Sequence, residues 1–229
     1  MIPLFQDRKD AGRQLAAKLT QYTNRPDVVV LGLPRGGVPV AFEVAQALNA
    51  PLDVFLVRKL GVPGHEELAM GAIGSGGVRV LNEAVIQALN IPPSVIKAVA
   101  EREQQELDRR ERIYRDGRPP LDLDGKTVIL VDDGLATGST MAAAIKGVRA
   151  QRAAQVVVAV PTAALETCEL LESIVDDIIC AETPEPFFGV GMWYADFSQI
   201  SDEAVRALLA RAAEDQRKGL SAATAQSKP

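Results

Sequence analysis

The sequence predicts an α/β fold, a central parallel β-sheet flanked by helices, and three observations carry that reading. Short apolar runs alternate with helical repeats along the chain. Aliphatic side chains dominate a 47% hydrophobic fraction in which aromatics supply only 4%. Glycine-bearing turns stand where run passes into repeat. A sheet covered on both faces needs Val, Ile and Leu in its strands and small residues such as Ala in its covering helices. At 229 residues the chain buries such a core as one unit, without metals or disulfides to hold it.

Ala11, Leu15, Ala16, Leu19 and Tyr22 recur at helical spacing and predict an amphipathic first helix that packs on the sheet. Val28 to Leu33 predicts a strand, Pro34-Arg35-Gly36-Gly37 a turn, and Val38, Ala41, Phe42, Ala45 and Leu48 the next helix. Leu52 to Val57 predicts a second buried strand. Arg58-Lys59 follow, then a stretch punctuated by Gly61, Gly64, Gly71, Gly74, Gly76 and Gly77, which predicts a flexible loop outside the core. Val78 to Leu81 predicts a short strand, in a hairpin with Ala69 to Ile73.

Pro92-Pro93-Ser94 predicts a helix start with Ser94 as N-cap, the helix running to about Tyr114. Glu106 with Arg110, Asp108 with Arg112 and Glu111 with Arg115 set an acid four residues before a base, which marks these arginines as a solvated helix face. Beyond it, strands are predicted over Thr127 to Val131, Gln155 to Val160 and Asp177 to Ala181, and helices over Ser139 to Arg149 and Ala163 to Leu171. Cys168 and Cys180 show no metal-ligand spacing and are read as inert core thiols. Residues 1–214 read as one domain, and 215–229, without apolar period, as a disordered tail.

A formal net charge of −5 gives no whole-protein attraction to nucleic acid, so an anionic ligand must be held by local groups. Met1 to Asp10 lacks a basic segment followed by an apolar run, and no stretch is long enough to cross a bilayer. A cytoplasmic location is expected.

Val128-Ile129-Leu130-Val131-Asp132-Asp133-Gly134-Leu135-Ala136-Thr137-Gly138-Ser139-Thr140 carries the most chemistry: an apolar strand delivers two carboxylates, then a small-residue turn enters a helix. Gly134 and Gly138 let backbone approach a ligand, and the turn from Ala136 into the helix start aims unpaired N–H groups at an anion. Thr137, Ser139 and Thr140 add hydroxyl donors. Asp132 and Asp133 suit the two neighbouring hydroxyls of a ribose, with a metal ion offsetting their repulsion. A paired Asp-Asp alone would read as an ordinary turn; phosphate cradle and diol acceptors together spell a ribose 5-phosphate. No Gly-Lys-Ser/Thr follows a glycine loop, which excludes a P-loop.

Arg35, Gly36 and Gly37 also stand where a strand passes into a helix, a second place for an anion. Phe188, Trp193 and Tyr194 lie within Pro184 to Phe197, which gathers half of the aromatics. They form either a hydrophobic plug or a stacking platform for a planar base. His65, alone in the glycine-rich loop, has no evident partner; Glu66 and Glu67 stand beside it.

The Asp-Asp string resembles the 5-phosphoribosyl-1-pyrophosphate (PRPP) signature of type I phosphoribosyltransferases. Its Leu-Ala-Thr-Gly and closing Thr are similar to the adenine phosphoribosyltransferase version. Together with Phe5 to Gly12, Leu33 to Val38, Val57 to Gly74 and Phe187 to Val205, it resembles a bacterial group of stand-alone members. The resemblance implies the type I fold with a small hood, made here of about 184–200 and the N-terminal segment. It implies a flexible catalytic loop over about 58–77 that begins with Arg58 and Lys59 and closes over the ligand, where Glu66 or Glu67 would contact substrate. It further implies Mg²⁺ bound with PRPP and a pyrophosphate loop at Arg35, Gly36 and Gly37 containing a non-proline cis peptide. The implied acceptor is a small planar base. The homodimer usual in the family is not demanded by these residues. Hypoxanthine–guanine enzymes usually carry Asp where this chain has Ala136, which disfavours those two bases. The implied activity is phosphoribosyl transfer, with a PRPP-sensing regulator or a ribose phosphate hydrolase as rivals.

Overall fold

A computed structural model describes residues 2–226. Five parallel strands lie in the order β2 (Leu52–Val54), β1 (Val28–Gly32), β6 (Thr127–Val131), β7 (Gln155–Thr162) and β8 (Asp177–Glu182). Every residue of β1 and β6 is buried, as strands covered on both faces must be. Alternation assigns the two faces. Val28, Val30, Ile129, Val131 and Val157 join a core built with α1 (Arg8–Ala17), α2 (Gly37–Leu48), α4 (Pro93–Arg115) and α7 (Asp202–Gln226). Val29, Leu31, Val128, Leu130 and Val158 face the other way, onto α5 (Ser139–Ala150) and α6 (Leu165–Glu172).

Chain order matters for function. From β1 the connections run outward to β2 on one side, and from β6 to β7 and β8 on the other. The turns after β1 and β6 therefore diverge at a topological switch point, where open α/β sheets leave a ligand crevice beyond the carboxyl ends of the strands.

The segment read as one strand from Leu52 to Val57 divides. β2 ends at Val54, and Val57 opens β3 (Val57–Val62) of a separate antiparallel sheet with β4 (His65–Gly74) and β5 (Val78–Leu81). Ser75 makes the corner, donating its N–H to the Leu56 carbonyl and accepting the Leu56 N–H on Oγ, both at 2.9 Å. The predicted hairpin forms, with Ala72 opposite Val80 and Ile73 opposite Arg79. Exclusion of this stretch from the core needs correction, because Leu60 and Met70 are fully buried with Ile96, Val99 and Leu107 of α4. Its glycines serve close antiparallel packing as well as turns.

Helix α4 starts two residues earlier than expected. Pro92 is the extended N-cap and Pro93 the first helical residue, a position where the missing proline N–H is no loss, so Ser94 lies inside the first turn. At its other end, Arg115 and Asp53 form a buried ion pair at 3.0 Å, with Arg115 also donating to the Val54 carbonyl at 3.1 Å. This fixes α4 to the sheet edge. A short α3 (Glu83–Ala88), capped by Asn82, joins β5 to it.

Two further expectations change. Cys168 of α6 and Cys180 of β8 are joined in a disulfide, with Cα atoms 6.7 Å apart. They are not free thiols, because the helix lies directly over the strand that follows it. Helix α7 continues to Gln226 through most of the stretch read as a tail; residues 227–229 lie outside the described residues. No helix among the described residues is long and apolar enough to cross a membrane.

Candidate active site

The turn after β1 and the turn after β6 press on one another. Leu33 donates its N–H to the Val131 carbonyl at 2.9 Å, and the Pro34–Arg35 peptide that follows is cis, as the resemblance implied. A side chain on Gly36 would overlap the Asp133 carboxylate, and one on Gly37 would stand 2.6 Å from the Val131 carbonyl oxygen. Gly36→Ala is therefore expected to cost about 1–3 kcal/mol through overpacking, read by denaturant unfolding; an unchanged midpoint would show that the acidic turn can move aside.

Asp132 and Asp133 leave the end of β6 side by side. Asp132 Oδ1 accepts the Asp133 N–H at 2.8 Å. Burial, then the neighbouring Asp133 charge, pushes the Asp132 carboxyl well above its ordinary range. Asp133 has a partner that Asp132 lacks. Arg8 Nε donates to Asp133 Oδ2 at 2.8 Å, and its NH1 donates to the Ser198 carbonyl at 2.8 Å. The same guanidinium lies 3.9 Å from the centre of the Phe197 ring.

The phosphate turn runs from Gly134 to Thr140 around a cavity of about 160 Å³ that Asp132 and Val190 also line. Gly138 caps α5 at φ +69°, a backbone state that favours glycine. Thr167 of α6 holds the turn by donating to the Ala136 carbonyl at 2.6 Å, and the Thr137 and Ser139 hydroxyls are 3.2 Å apart.

Arg58 and Lys59 are neighbours in β3 and so point to opposite faces. Arg58 turns to α4, where Nε donates to Glu103 at 2.6 Å. Lys59 lines a different cavity, of about 560 Å³, with Ser139, Thr140 and Lys146 of α5. The two cations thus approach the crevice from different sides. His65, Glu66 and Glu67 are exposed at the start of β4.

In the aromatic segment, Phe188 is 70% exposed while Trp193 and Tyr194 are buried. Tyr194 donates its hydroxyl to the Asp133 carbonyl at 2.6 Å and its ring packs between Phe5 and Phe197. Backbone pairing adds to this contact: Phe5 donates to Trp193 and accepts from Ala195. Tyr194 therefore seats the acidic turn, Trp193 is buried with its ring stacked on Phe187, and Phe188 is the exposed one of the three.

Compared with known proteins, the chain matches the phosphoribosyl transferase domain over residues 5–74 and 64–195. The chain belongs to the phosphoribosyl transferase domain family. A Mycobacterium tuberculosis protein provisionally named a phosphoribosyl transferase is 50% identical over 214 residues, which is 93% of this chain and 48% of that protein. The chain thus spans about half the length of this curated relative. The crystal structure of TT1426 from Thermus thermophilus is 43% identical, covers 90% of this chain and 97% of its own, and superposes with a TM-score of 0.79. A shorter match, 32% over 116 residues, covers 50% of this chain and 58% of the Bifunctional protein PyrR of Chloroflexus aurantiacus. The parallel sheet, its helices and the added antiparallel arm form the type I phosphoribosyltransferase fold.

Arg8, which holds Asp133, carries a signal in the sequence. It shares the helical face of Ala11, Leu15 and Leu19, and a charge on a buried face demands a partner. Mg²⁺ fits the same acidic turn. The turn offers two adjacent carboxylates, Asp132 and Asp133, and Mg²⁺ is commonly bound through one or two carboxylates plus substrate phosphates.

Proposed function

We propose that this chain transfers the 5-phosphoribosyl group of PRPP to a small, planar, nucleobase-like acceptor and releases pyrophosphate. The observation that carries this reading is the meeting of three anion- and sugar-binding parts at one switch point: the Gly36-Gly37 turn, the Asp132-Asp133 pair and the Gly134 to Thr140 cradle. The cradle takes the 5-phosphate on backbone and hydroxyl donors, and the carboxylates orient the ribose hydroxyls. Asp132 and Asp133 would hold Mg²⁺ bound with the donor, and the ion would supply charge neutralisation for the diphosphate.

As the bond from ribose C1 to the diphosphate oxygen breaks, its electron pair leaves with the oxygen, and a lone pair of the acceptor forms the new bond to C1. Positive charge grows on the sugar beside the carboxylates, and negative charge grows on the leaving group. Prearranged acids and cations stabilise both ends. No covalent nucleophile is required. Phe188 is the ring offered to the acceptor, and Ala136 leaves the cradle without a carboxylate for a purine N7 proton.

The test is pyrophosphate release from PRPP and Mg²⁺ with a panel of adenine, hypoxanthine, guanine, orotate and uracil. Release dependent on one base is the expected result and names the acceptor. The PyrR match supports a second reading, a PRPP-binding regulator; tight PRPP binding with no release from any base selects it.

A further inference from the structure

A group of arginines on and beside α4 lies outside the acidic pair and the phosphate cradle. A narrow cleft of about 40 Å³ between the turn after β1 and helix α4 is lined by Pro34, Arg58, Arg110, Tyr114 and Thr140, among others. It begins at the cis peptide of the first turn and ends at the last residue of the phosphate motif. The cleft holds little more than one water, so a larger anion would lie across its mouth.

The arginines around it share their acids. Glu103 takes both Arg58, at 2.6 Å, and Arg102, at 3.0 Å. Glu106 takes Arg109 through two hydrogen bonds, at 2.7 and 2.9 Å, and Arg110 through one, at 2.8 Å. Four guanidiniums thus share these two carboxylates, and Asp202, which accepts the Tyr114 hydroxyl at 2.6 Å, is a further acid on this flank; of the four, Arg58 and Arg110 line the cleft itself. Hydrogen bonds from Arg109 and Arg110 hold the Glu106 carboxyl down to about 2, so protonation near neutral pH does not alter this sharing. The favourable spacing of Glu106 and Arg110 concealed this, since it reads as an ordinary surface pair.

Arg110 is the best placed of the four. Its Nε–H is spent on Glu106, which sets the plane of the guanidinium, while its terminal nitrogens make no hydrogen bond among the described residues. A guanidinium presents five donors in a rigid fork matched to phosphate oxygens. Arg110 and Tyr114 line this cleft with Pro34, the residue before Arg35. We propose that Arg110, oriented by Glu106, binds the diphosphate end of the donor together with Arg58, and that α4 thereby supplies a part of the site that neither glycine turn contains.

This inference rests on the PRPP reading, and the experiment separates the two. Binding of PRPP, inorganic pyrophosphate and ribose 5-phosphate, each with Mg²⁺, is measured by calorimetry for the natural chain, Arg110→Gln, Arg110→Lys and Asp132→Asn. Arg110→Gln is expected to weaken PRPP and pyrophosphate about ten- to hundredfold, the loss of a charge-assisted contact, and to leave ribose 5-phosphate within about twofold. Arg110→Lys should recover part of the loss, since the charge returns without the fork. Asp132→Asn should weaken PRPP and ribose 5-phosphate together. Unchanged PRPP and pyrophosphate binding in Arg110→Gln overturns the inference while the PRPP reading stands. Equal weakening of all three ligands also overturns it, because Arg110 would then act through the fold. If the natural chain binds none of them, the PRPP reading falls and the inference with it.

Discussion

The double variant Asp132→Asn, Asp133→Asn loses at least about 10²–10³-fold in turnover, the cost of removing prearranged charge where transition-state charge develops. The single variants separate function from stability. Asp132 is raised by burial and then by Asp133, so between the ordinary carboxylate value and its folded value the native state binds more protons than the unfolded one. Its contribution to stability is therefore present at acid pH and is lost as pH rises through the folded value. Asp132→Asn removes the titrating carboxyl while its Oδ1 still accepts the Asp133 N–H. This variant should melt at a higher temperature than the natural chain at pH 7, with the gain shrinking toward acid, and should be inactive. Asp133→Asn should instead melt lower, because Arg8 loses its ionic partner. Thermal unfolding between pH 4 and 8, run beside the pyrophosphate assay, reads both; equal melting temperatures at pH 7 for Asp132→Asn and the natural chain would mean that the acidic pair is solvated.

The sheet was legible in the sequence because burial on both faces leaves strands of unbroken Val, Ile and Leu. Thr127 to Val131 was placed to the residue. The arm was harder, since Leu60 and Met70 sit among glycines and exposed residues, and their burial depends on α4, more than twenty residues further on. Ser75 shows the same limit: it ends one sheet and begins another through two hydrogen bonds to Leu56, and local sequence does not record that distance. The disulfide is a tertiary fact as well, made by α6 lying over β8.

At the site, residues whose chemistry is local were readable. Asp132, Asp133 and the turn to Thr140 form one continuous string that chain order alone brings to a strand end. Residues that arrive from elsewhere were not. Arg8 reaches Asp133 across 125 positions, Arg110 lines a cleft with Pro34 of the first turn from near the end of a charged helix, and Tyr194 turns out to be packed only once Phe5 and Phe197 are beside it. The switch-point sheet links the two groups, since it places the ends of β1 and β6 together and leaves the N-terminal helix and α4 to close in from either side.

Arg8 provides the second large effect. Its side chain and that of Asp133 are 9% and 16% exposed, so Arg8→Met strands a carboxylate that water reaches poorly. Breaking a buried pair from one side costs about 3–5 kcal/mol. The residual exposure of Asp133 puts the expectation near the lower end, about 3 kcal/mol by urea unfolding at pH 7. Arg8→Lys should recover only part, because one ammonium cannot engage Asp133, the Ser198 carbonyl and the Phe197 face at once. A purely structural role would stop there, but Arg8 also carries the positive charge that lowers Asp132. Its removal therefore raises the Asp132 carboxyl further. The acid limb of PRPP binding, where Asp132 takes up its proton, should move to higher pH in Arg8→Met at a temperature at which the variant is still folded. A destabilised variant whose acid limb stays in place would limit Arg8 to packing; a shifted limb would show that the N-terminal helix sets the charge state of the acidic pair.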